Sequence, residues 1–436
     1  RAIPLLTVSI VGNNQSPLAL LINTVVCMVL LLPATAAMGA TTAALVEAWR
    51  RRLPEKSQHL TVAWLYAANT LGALLGVLGV TYLAIPQFGL LSSARLCLFV
   101  SLIAAAAILL WSRHSEPEHA ISESLQENFP RKQQLYYLLL LTGFCGIGLE
   151  YLATQVLAQV LEDTVYTFAN LLAVYLGATS IGAWLYGRKM IQHLGDTLWK
   201  TRALFLAGAI TLFFSGAAMV NADDLVNWLL PFGSPYSQYL TTDFIVASVV
   251  FLPPTLIMGM TFSHLIGQFA SRGVGTAYAI NTLGGTLAPM VLGILIIPTL
   301  GLTASLYLLI AIYLALYSWC SWGKSGAVSA PVCMAIICIL FQMSLVLVRL
   351  PIGFSVTEQK VGLHGVVTVG EPTLSGNAVP IRLLQVNQNF LMGGASGFQE
   401  RRMGHLPLLV APRRNDVLFL GVGTGITAGS AALYDD

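Results

Sequence analysis

Hydrophobic residues along this chain come in long, nearly uninterrupted runs. A bilayer core of about 30 Å needs about 20 such residues wound as helix, because backbone groups in lipid must bond to one another within the segment. Ten stretches meet that need: approximately 18–40, 60–84, 94–111, 135–158, 165–187, 201–220, 241–266, 275–298, 301–320 and 327–349. From about Phe354 the pattern changes. Short alternating runs, Val366 to Val369 and Arg382 to Val386, are broken by Gly370, Glu371-Pro372 and Ser375-Gly376-Asn377 and predict strands and hairpins. Val417-Leu418-Phe419-Leu420 predicts a buried strand that runs straight into glycines.

Composition agrees with the runs. With 56% hydrophobic and 9% charged residues, the chain lies far from the soluble average of roughly a quarter charged. The expected partner is therefore the lipid bilayer, of a bacterial-type inner or plasma membrane. A net charge of +3 is too small to imply a nucleic-acid partner. The position of the charges is more informative. Arg50, Arg51, Arg52 and Lys56, then Arg113, Arg131 and Lys132, then Arg188, Lys189 and Lys200, then Arg272, then Lys324 occupy alternate loops, which predicts a cytoplasmic face. Glu162, Asp163, Asp223, Asp224 and Asp243 mark the opposite, external face, where Arg95 is almost alone among basic residues. The six cysteines, Cys27, Cys97, Cys145, Cys320, Cys333 and Cys338, fall in apolar stretches without disulfide or metal spacing and read as small packing residues. No metal site is expected, His264 and His405 being isolated.

An internal repeat appears when the runs are laid side by side. Leu32-Pro33-Ala34-Thr35, Met38-Gly39 and Thr41 match Leu252-Pro253-Pro254-Thr255, Met258-Gly259 and Thr261 at an offset of 220. Tyr66-Ala67-Ala68-Asn69-Thr70-Leu71-Gly72 matches Tyr278-Ala279-Ile280-Asn281-Thr282-Leu283-Gly284, and Ile85-Pro86 with Gly89-Leu90 matches Ile297-Pro298 with Gly301-Leu302, both at 212. An even number of helices, six, separates equivalent points, so the halves should be parallel, as in major-facilitator transporters. About three helices of the first half would then precede Arg1, and both ends of the sequence are expected to be truncated. The expected organisation is the end of the first helical repeat (1–112), a cytoplasmic linker (113–134), the second repeat (135–325), an additional membrane helix (326–350), a small β subdomain (351–412) and the start of a Rossmann-like nucleotide-binding domain (413–436).

Gly421-Val422-Gly423-Thr424-Gly425 follows the predicted strand and precedes a helix start at Ile426. Glycines at such a turn let backbone approach a ligand, and this spacing suits an adenosyl-type cofactor better than a dinucleotide. The tail resembles the start of a spermidine synthase: a strand subdomain (Phe354 to Met392), then Gly404-His405-Leu406-Pro407-Leu408-Leu409, then Val417 to Gly425 and Ile426-Thr427-Ala428-Gly429. The helical part is similar to proteins that fuse a major-facilitator-like membrane domain to such a synthase, through Leu-Pro-x-Thr-x-x-Met-Gly, Tyr-Ala-x-Asn-Thr-Leu-Gly, and Glu150-Tyr151 followed by Gly182 to Arg188.

That resemblance implies a polytopic helical domain followed by an α/β aminopropyltransferase or methyltransferase fold. It also implies decarboxylated S-adenosylmethionine or S-adenosylmethionine at Gly421, Gly423, Thr424 and Gly425, with a polyamine or related amine as acceptor. The sequence departs from the family at three places. Thr424 stands where the family has Asp, Leu391 falls where a Gln is usual, and Gln399-Glu400-Arg401 replaces Tyr-His-Glu. The acidic residue after the family's second strand and its catalytic aspartate would lie beyond Asp436, so no catalytic residue is assigned here. The alternative expectation is a major-facilitator-like transporter of a small solute with a non-catalytic or sensory soluble domain. Oligomeric state is left open, a homo-oligomer being compatible.

Three intramembrane polar residues are candidates in their own right. Glu150 sits mid-span, where a charge is expensive, as a functional carboxyl or as a protonated one holding helices together. Asn69 and Asn281 occupy equivalent repeat positions, with interhelical hydrogen bonding the leading reading over ligand contact. Trp64, Tyr66, Trp184 and Tyr186 fit an interfacial belt. The 327–349 run decides topology: spanning, it puts the tail outside; lying in the interface, inside.

Overall fold

The computed structural model describes residues 17–50, 55–113, 129–161, 164–188, 197–230, 235–269, 273–321, 326–362, 365–373, 382–388, 390–394, 397–412 and 416–434. It is mostly helical. The elements are α1 (Pro17–Arg50), α2 (Glu55–Gly79), α3 (Ile85–Arg113), α4 (Phe129–Leu157), α5 (Val165–Tyr186), α6 (Thr197–Val220), α7 (Ala222–Leu229), α8 (Pro235–Ile266), α9 (Val274–Met290), α10 (Ile297–Cys320) and α11 (Gly326–Phe341). Short π-helical segments, Val80–Ala84 and Val291–Ile296, join α2 to α3 and α9 to α10. The tail adds β1 (Phe354–Gly362), β2 (Gly365–Pro372), β3 (Leu383–Val386), β4 (Phe390–Gly393), α12 (Gly397–Val410) and α13 (Ile426–Ala431).

Among the described residues, six helical spans are long and apolar enough to cross a membrane: Ala63–Leu110, Gln133–Leu157, Val165–Tyr186, Thr197–Val220, Gln238–Ile266 and Val274–Cys320. The first and last are each too long for one crossing and contain two of the predicted runs, with no loop between them. Within these helices many hydroxyls bond back to the preceding turn, as Thr142 does to the Leu138 carbonyl and Thr255 to that of Phe251. Without a hydrophobic force between helices in lipid, close packing depends on small residues. The structure uses them at two crossings. On α4 and α9, a Cβ at Gly143 would overlap the Asn281 carbonyl and one at Gly284 the Leu140 carbonyl; on α5 and α8, Gly182 meets Leu256 and Gly259 meets Thr179 in the same way.

Local geometry recurs at the sequence offset of 212. The π-helical segments lie at equivalent places, and Gly89 (φ 73°) and Gly301 (φ 87°) break α3 and α10 with the same left-handed backbone. In each break a serine hydroxyl, Ser93 or Ser305, donates to the glycine carbonyl at 2.8 or 3.1 Å. The surroundings of the two copies differ. Leu302 is 2% exposed but its counterpart Leu90 is 74% exposed; Phe251 and Met258 are buried where Leu31 and Met38 are bare; and no atom lies within 4 Å of a Cβ built at Gly39 or Gly72. Among the cysteines, Cys145 is buried as expected, but Cys27, Cys97 and Cys333 lie on exposed helix surface rather than in packing.

The 327–349 run is not one helix. Helix α11 stops at Phe341, 16 residues long, and 342–350 continues as non-helical chain, turned at Gln342 (φ 34°), with Met343, Leu345 and Leu347 buried. Irregular backbone at this depth is tolerated where side chains satisfy it. The Tyr307 hydroxyl accepts from the Met343 N–H at 3.3 Å, Thr303 Oγ1 from Leu345 N–H at 3.2 Å, and Gln159 Oε1 from Leu347 N–H at 2.8 Å, while Gln159 Nε2 donates to the Leu345 carbonyl at 2.9 Å. Gln159, fully buried, thus acts as a one-residue edge strand. Arg349 then pairs with Asp223 and Asp224, both at 3.2 Å.

Beyond it, β1 to β4 form an antiparallel meander in chain order, with a bulge between Val356 and Glu358. The predicted strand at Val366 to Val369 lies within β2 and that at Arg382 to Val386 corresponds to β3. On the exposed face of β1, Lys360 at 2.8 Å holds the Glu358 carboxyl below the usual carboxylate range by hydrogen bonding. Gly404 to Leu409 lies inside α12. The strand predicted at Val417 to Leu420 is not formed: 416–420 is irregular, and Leu418 and Leu420 are exposed. An apolar run becomes a buried strand only between neighbouring strands, and no described segment pairs with this one.

Candidate functional sites: a glycine loop and an intramembrane cavity

The glycine loop has the backbone that its residues predict. Gly421 (φ 92°), Gly423 (φ 54°) and Gly425 (φ 80°) all take left-handed conformations that other residues rarely adopt. Gly425 donates to the Val422 carbonyl at 2.8 Å, closing the turn, and α13 begins at the next residue. Its anchor is Glu400 on α12. One carboxylate oxygen accepts from the Gly393 N–H at 2.5 Å, the other from the Thr424 hydroxyl at 2.6 Å, and the Glu400 carbonyl accepts from Thr427 at 3.1 Å. The end of β4 and the loop therefore share one carboxylate, and the first turn of α13 bonds to the backbone of the same residue. Sequence reading had placed Glu400 only as a departure from a family motif. Leu391 is exposed on β4, and His405 bonds to Tyr434 at 3.0 Å rather than to any ligating partner.

The second site is a cavity of about 480 Å³ within the helical body. It is walled by Tyr66 of α2, Gly143 and Gly146 of α4, Tyr175 of α5, Phe262 of α8, Asn281 and Thr286 of α9, and Tyr313 of α10. Six helices converge there, and the glycines of α4 leave the space that larger side chains would fill. Tyr66 is thus a cavity residue rather than part of an interfacial belt; Trp64 and Trp184 do pair edge to face, with the Arg188 guanidinium 3.9 Å over the Trp184 ring.

The two asparagines separate. Asn69 is exposed on α2, whereas Asn281 faces the cavity, and neither makes a side-chain hydrogen bond to a described residue, so the interhelical-bond reading is not met. Glu150 lies one turn beyond Gly146 on the same face of α4, half-buried, and forms no ion pair or hydrogen bond among the described residues. Its carboxylate interacts electrostatically with Tyr175, which lines the cavity. Tyr313, fully buried, has no partner for its hydroxyl among the described residues. His264 is a buried structural residue bonded to Tyr186 at 2.6 Å and Thr201 at 2.8 Å. No cluster of three metal-ligating side chains occurs among the described residues.

No family model, curated protein or solved structure matches the chain. The geometry of the two sites therefore carries the functional reading.

Proposed function

We propose that the chain is a membrane-bound transferase whose tail holds decarboxylated S-adenosylmethionine or S-adenosylmethionine at Gly421, Gly423, Thr424 and Gly425 and modifies a polyamine or related amine. The observation that carries it is the loop: three left-handed glycines in five residues, two of them, Gly421 and Gly425, with open space beside them among the described residues, since a Cβ at either would meet nothing there within 4 Å. Bound there, the cofactor would supply an activated carbon next to its sulfonium. The chain's own part is to present bare backbone along one side of the ligand, with the Thr424 hydroxyl already committed to Glu400. Ultraviolet photolabelling of the full chain with radiolabelled S-adenosylmethionine tests this: label is expected on the peptide spanning 416–434, and label confined to other peptides contradicts it.

A second reading, a small-solute transporter with a non-catalytic tail, is favoured by the position of the sheet. Thr167 on α5 donates to Asp243 on α8 at 2.7 Å, and Gln159 and Asp223 lie at the same end of the body, where Gln388 of the tail donates to the Gln159 carbonyl at 2.9 Å. The opposite end gathers Arg188, Lys200 and Arg202, the last bonded to the Cys320 carbonyl at 2.7 Å. Under the positive-inside rule the aspartate end is external, away from a cofactor made in the cytosol. Glu162, Asp163, Arg51, Arg52, Lys189, Arg272 and Lys324 lie outside the described residues. A cysteine placed at exposed Thr357 on β1 decides: labelling of Thr357→Cys by an impermeant maleimide in intact cells, above the background of the parent chain, favours the transporter; protection until lysis favours the transferase.

A further inference from the structure

We infer that the intramembrane cavity binds an organic cation, an alkylammonium group enclosed by tyrosine and phenylalanine rings with Glu150 as counter-ion. At about 480 Å³ the space is within the range of small-ligand sites. Its walls are of two kinds. Tyr66, Tyr175, Phe262 and Tyr313 supply aromatic rings, whose negative faces attract cations most strongly where water is excluded. Tyr66 and Phe262 lie together, ring centroids 4.4 Å apart, as one continuous aromatic surface. The polar groups besides the tyrosine hydroxyls are the Asn281 amide and the hydroxyls of Thr142, Thr179, Thr282 and Thr286. No basic side chain lines the cavity among the described residues.

The unmet polar groups give the argument its direction. A carboxyl within the membrane is retained only where it faces partners, water or a pathway, and Glu150 has neither a hydrogen bond nor an ion pair among the described residues. Asn281 faces the cavity in the same condition, and the buried Tyr313 hydroxyl is without a partner among the described residues. Glu150 is not itself a wall residue but stands one helical turn from Gly146 and interacts electrostatically with Tyr175, so an anionic ligand would lie near its carboxylate with no lining cation among the described residues to offset it. A neutral apolar one would leave Asn281 and Tyr313 as they are. An ammonium group answers the carboxylate, the amide oxygen and the ring faces together.

This rests on the transporter reading, for which the cavity would be the solute site, and equilibrium binding separates the two because a site can bind without moving its ligand. The test is calorimetric titration of the full chain in detergent with tetraethylammonium and n-butylammonium, and with butyrate as the anionic control. Saturable binding of an ammonium probe without butyrate binding is expected. It should weaken about tenfold in Glu150→Gln, as loss of a desolvated counter-ion predicts, and persist in Gly425→Val, which alters only the tail. Absence of ammonium binding, equal binding of butyrate, or unchanged affinity in a folded Glu150→Gln overturns the inference. Should Glu150→Gln fail to fold, Tyr175→Leu decides by itself, with weakened binding in support and unchanged binding against.

Discussion

Gly284→Leu yields no folded helical body on detergent extraction, whereas Gly72→Leu, at the equivalent position of the repeat, behaves as the parent chain. At Gly284 even a single Cβ would overlap the Leu140 carbonyl, and the obstacle is backbone, which cannot rotate away as a side chain would. The α4–α9 crossing would have to open, and the same crossing is held from the other side by Gly143 against Asn281. Overpacking a core costs about 1–3 kcal/mol where side chains can yield, and more where they cannot. At that scale a marginally stable fold is lost. At Gly72 no described residue of another element lies within 4 Å of an added Cβ, so no backbone stands in the way of the added side chain. Size-exclusion profiles and melting temperatures of the two variants check this; equal damage at both positions would mean that the packing of the two copies is alike.

Glu400→Ala releases the glycine loop without disturbing the membrane helices. Both carboxylate oxygens are in use, one on Gly393 and one on Thr424, and hydrogen bonds to a charged group contribute about 1.5–3 kcal/mol each. Their loss should appear as faster amide exchange and proteolysis across 416–425, with the melting temperature of the helical body unchanged. Thr424→Asp, which introduces the residue usual in spermidine synthases, should have the same effect by setting a second carboxylate against Glu400. Adding Glu400→Gln should restore protection. Unaltered exchange in Glu400→Ala would show that the loop is held by something else.

Much of the membrane part was legible because lipid leaves a chain few alternatives: apolar runs about 20 residues long become helices, and the Gly89 and Gly301 breaks follow the repeated Ile-Pro-x-x-Gly spacing that the sequence displays. What the runs could not show is how helices continue through a turn, which is why Ala63–Leu110 and Val274–Cys320 were read as separated pairs. The end of α11 was illegible for a related reason. Residues 342–349 are as apolar as a helix, and what holds them out of one is Gln159, nearly 190 positions away, offering its amide as a strand edge.

At the sites the same division holds. The left-handed turns at Gly421, Gly423 and Gly425 follow from residue type, since glycine alone adopts them freely. The role of Glu400 does not, because it depends on α12 lying beside β4 and α13. Asn69 and Asn281 look alike in sequence and differ only in what the helices around them leave open. The cavity itself left no local signal: Tyr66, Tyr175 and Tyr313 come from three distant helices, and only their convergence makes a site.

The measurement closest to the central proposal is calorimetric titration of the full-length chain in detergent with S-adenosylmethionine and its decarboxylated form, in parallel on the parent, Gly425→Val and Gly284→Ala. Gly425→Val forces a branched side chain into a left-handed position (φ 80°) at a place with open space, so the change is one of loop backbone and not of packing. The account predicts saturable binding of one form to the parent, its loss in Gly425→Val, and its retention in whatever Gly284→Ala protein remains folded, since that position lies in the helical body. Binding of neither form to the parent, or undiminished binding to Gly425→Val, would contradict it.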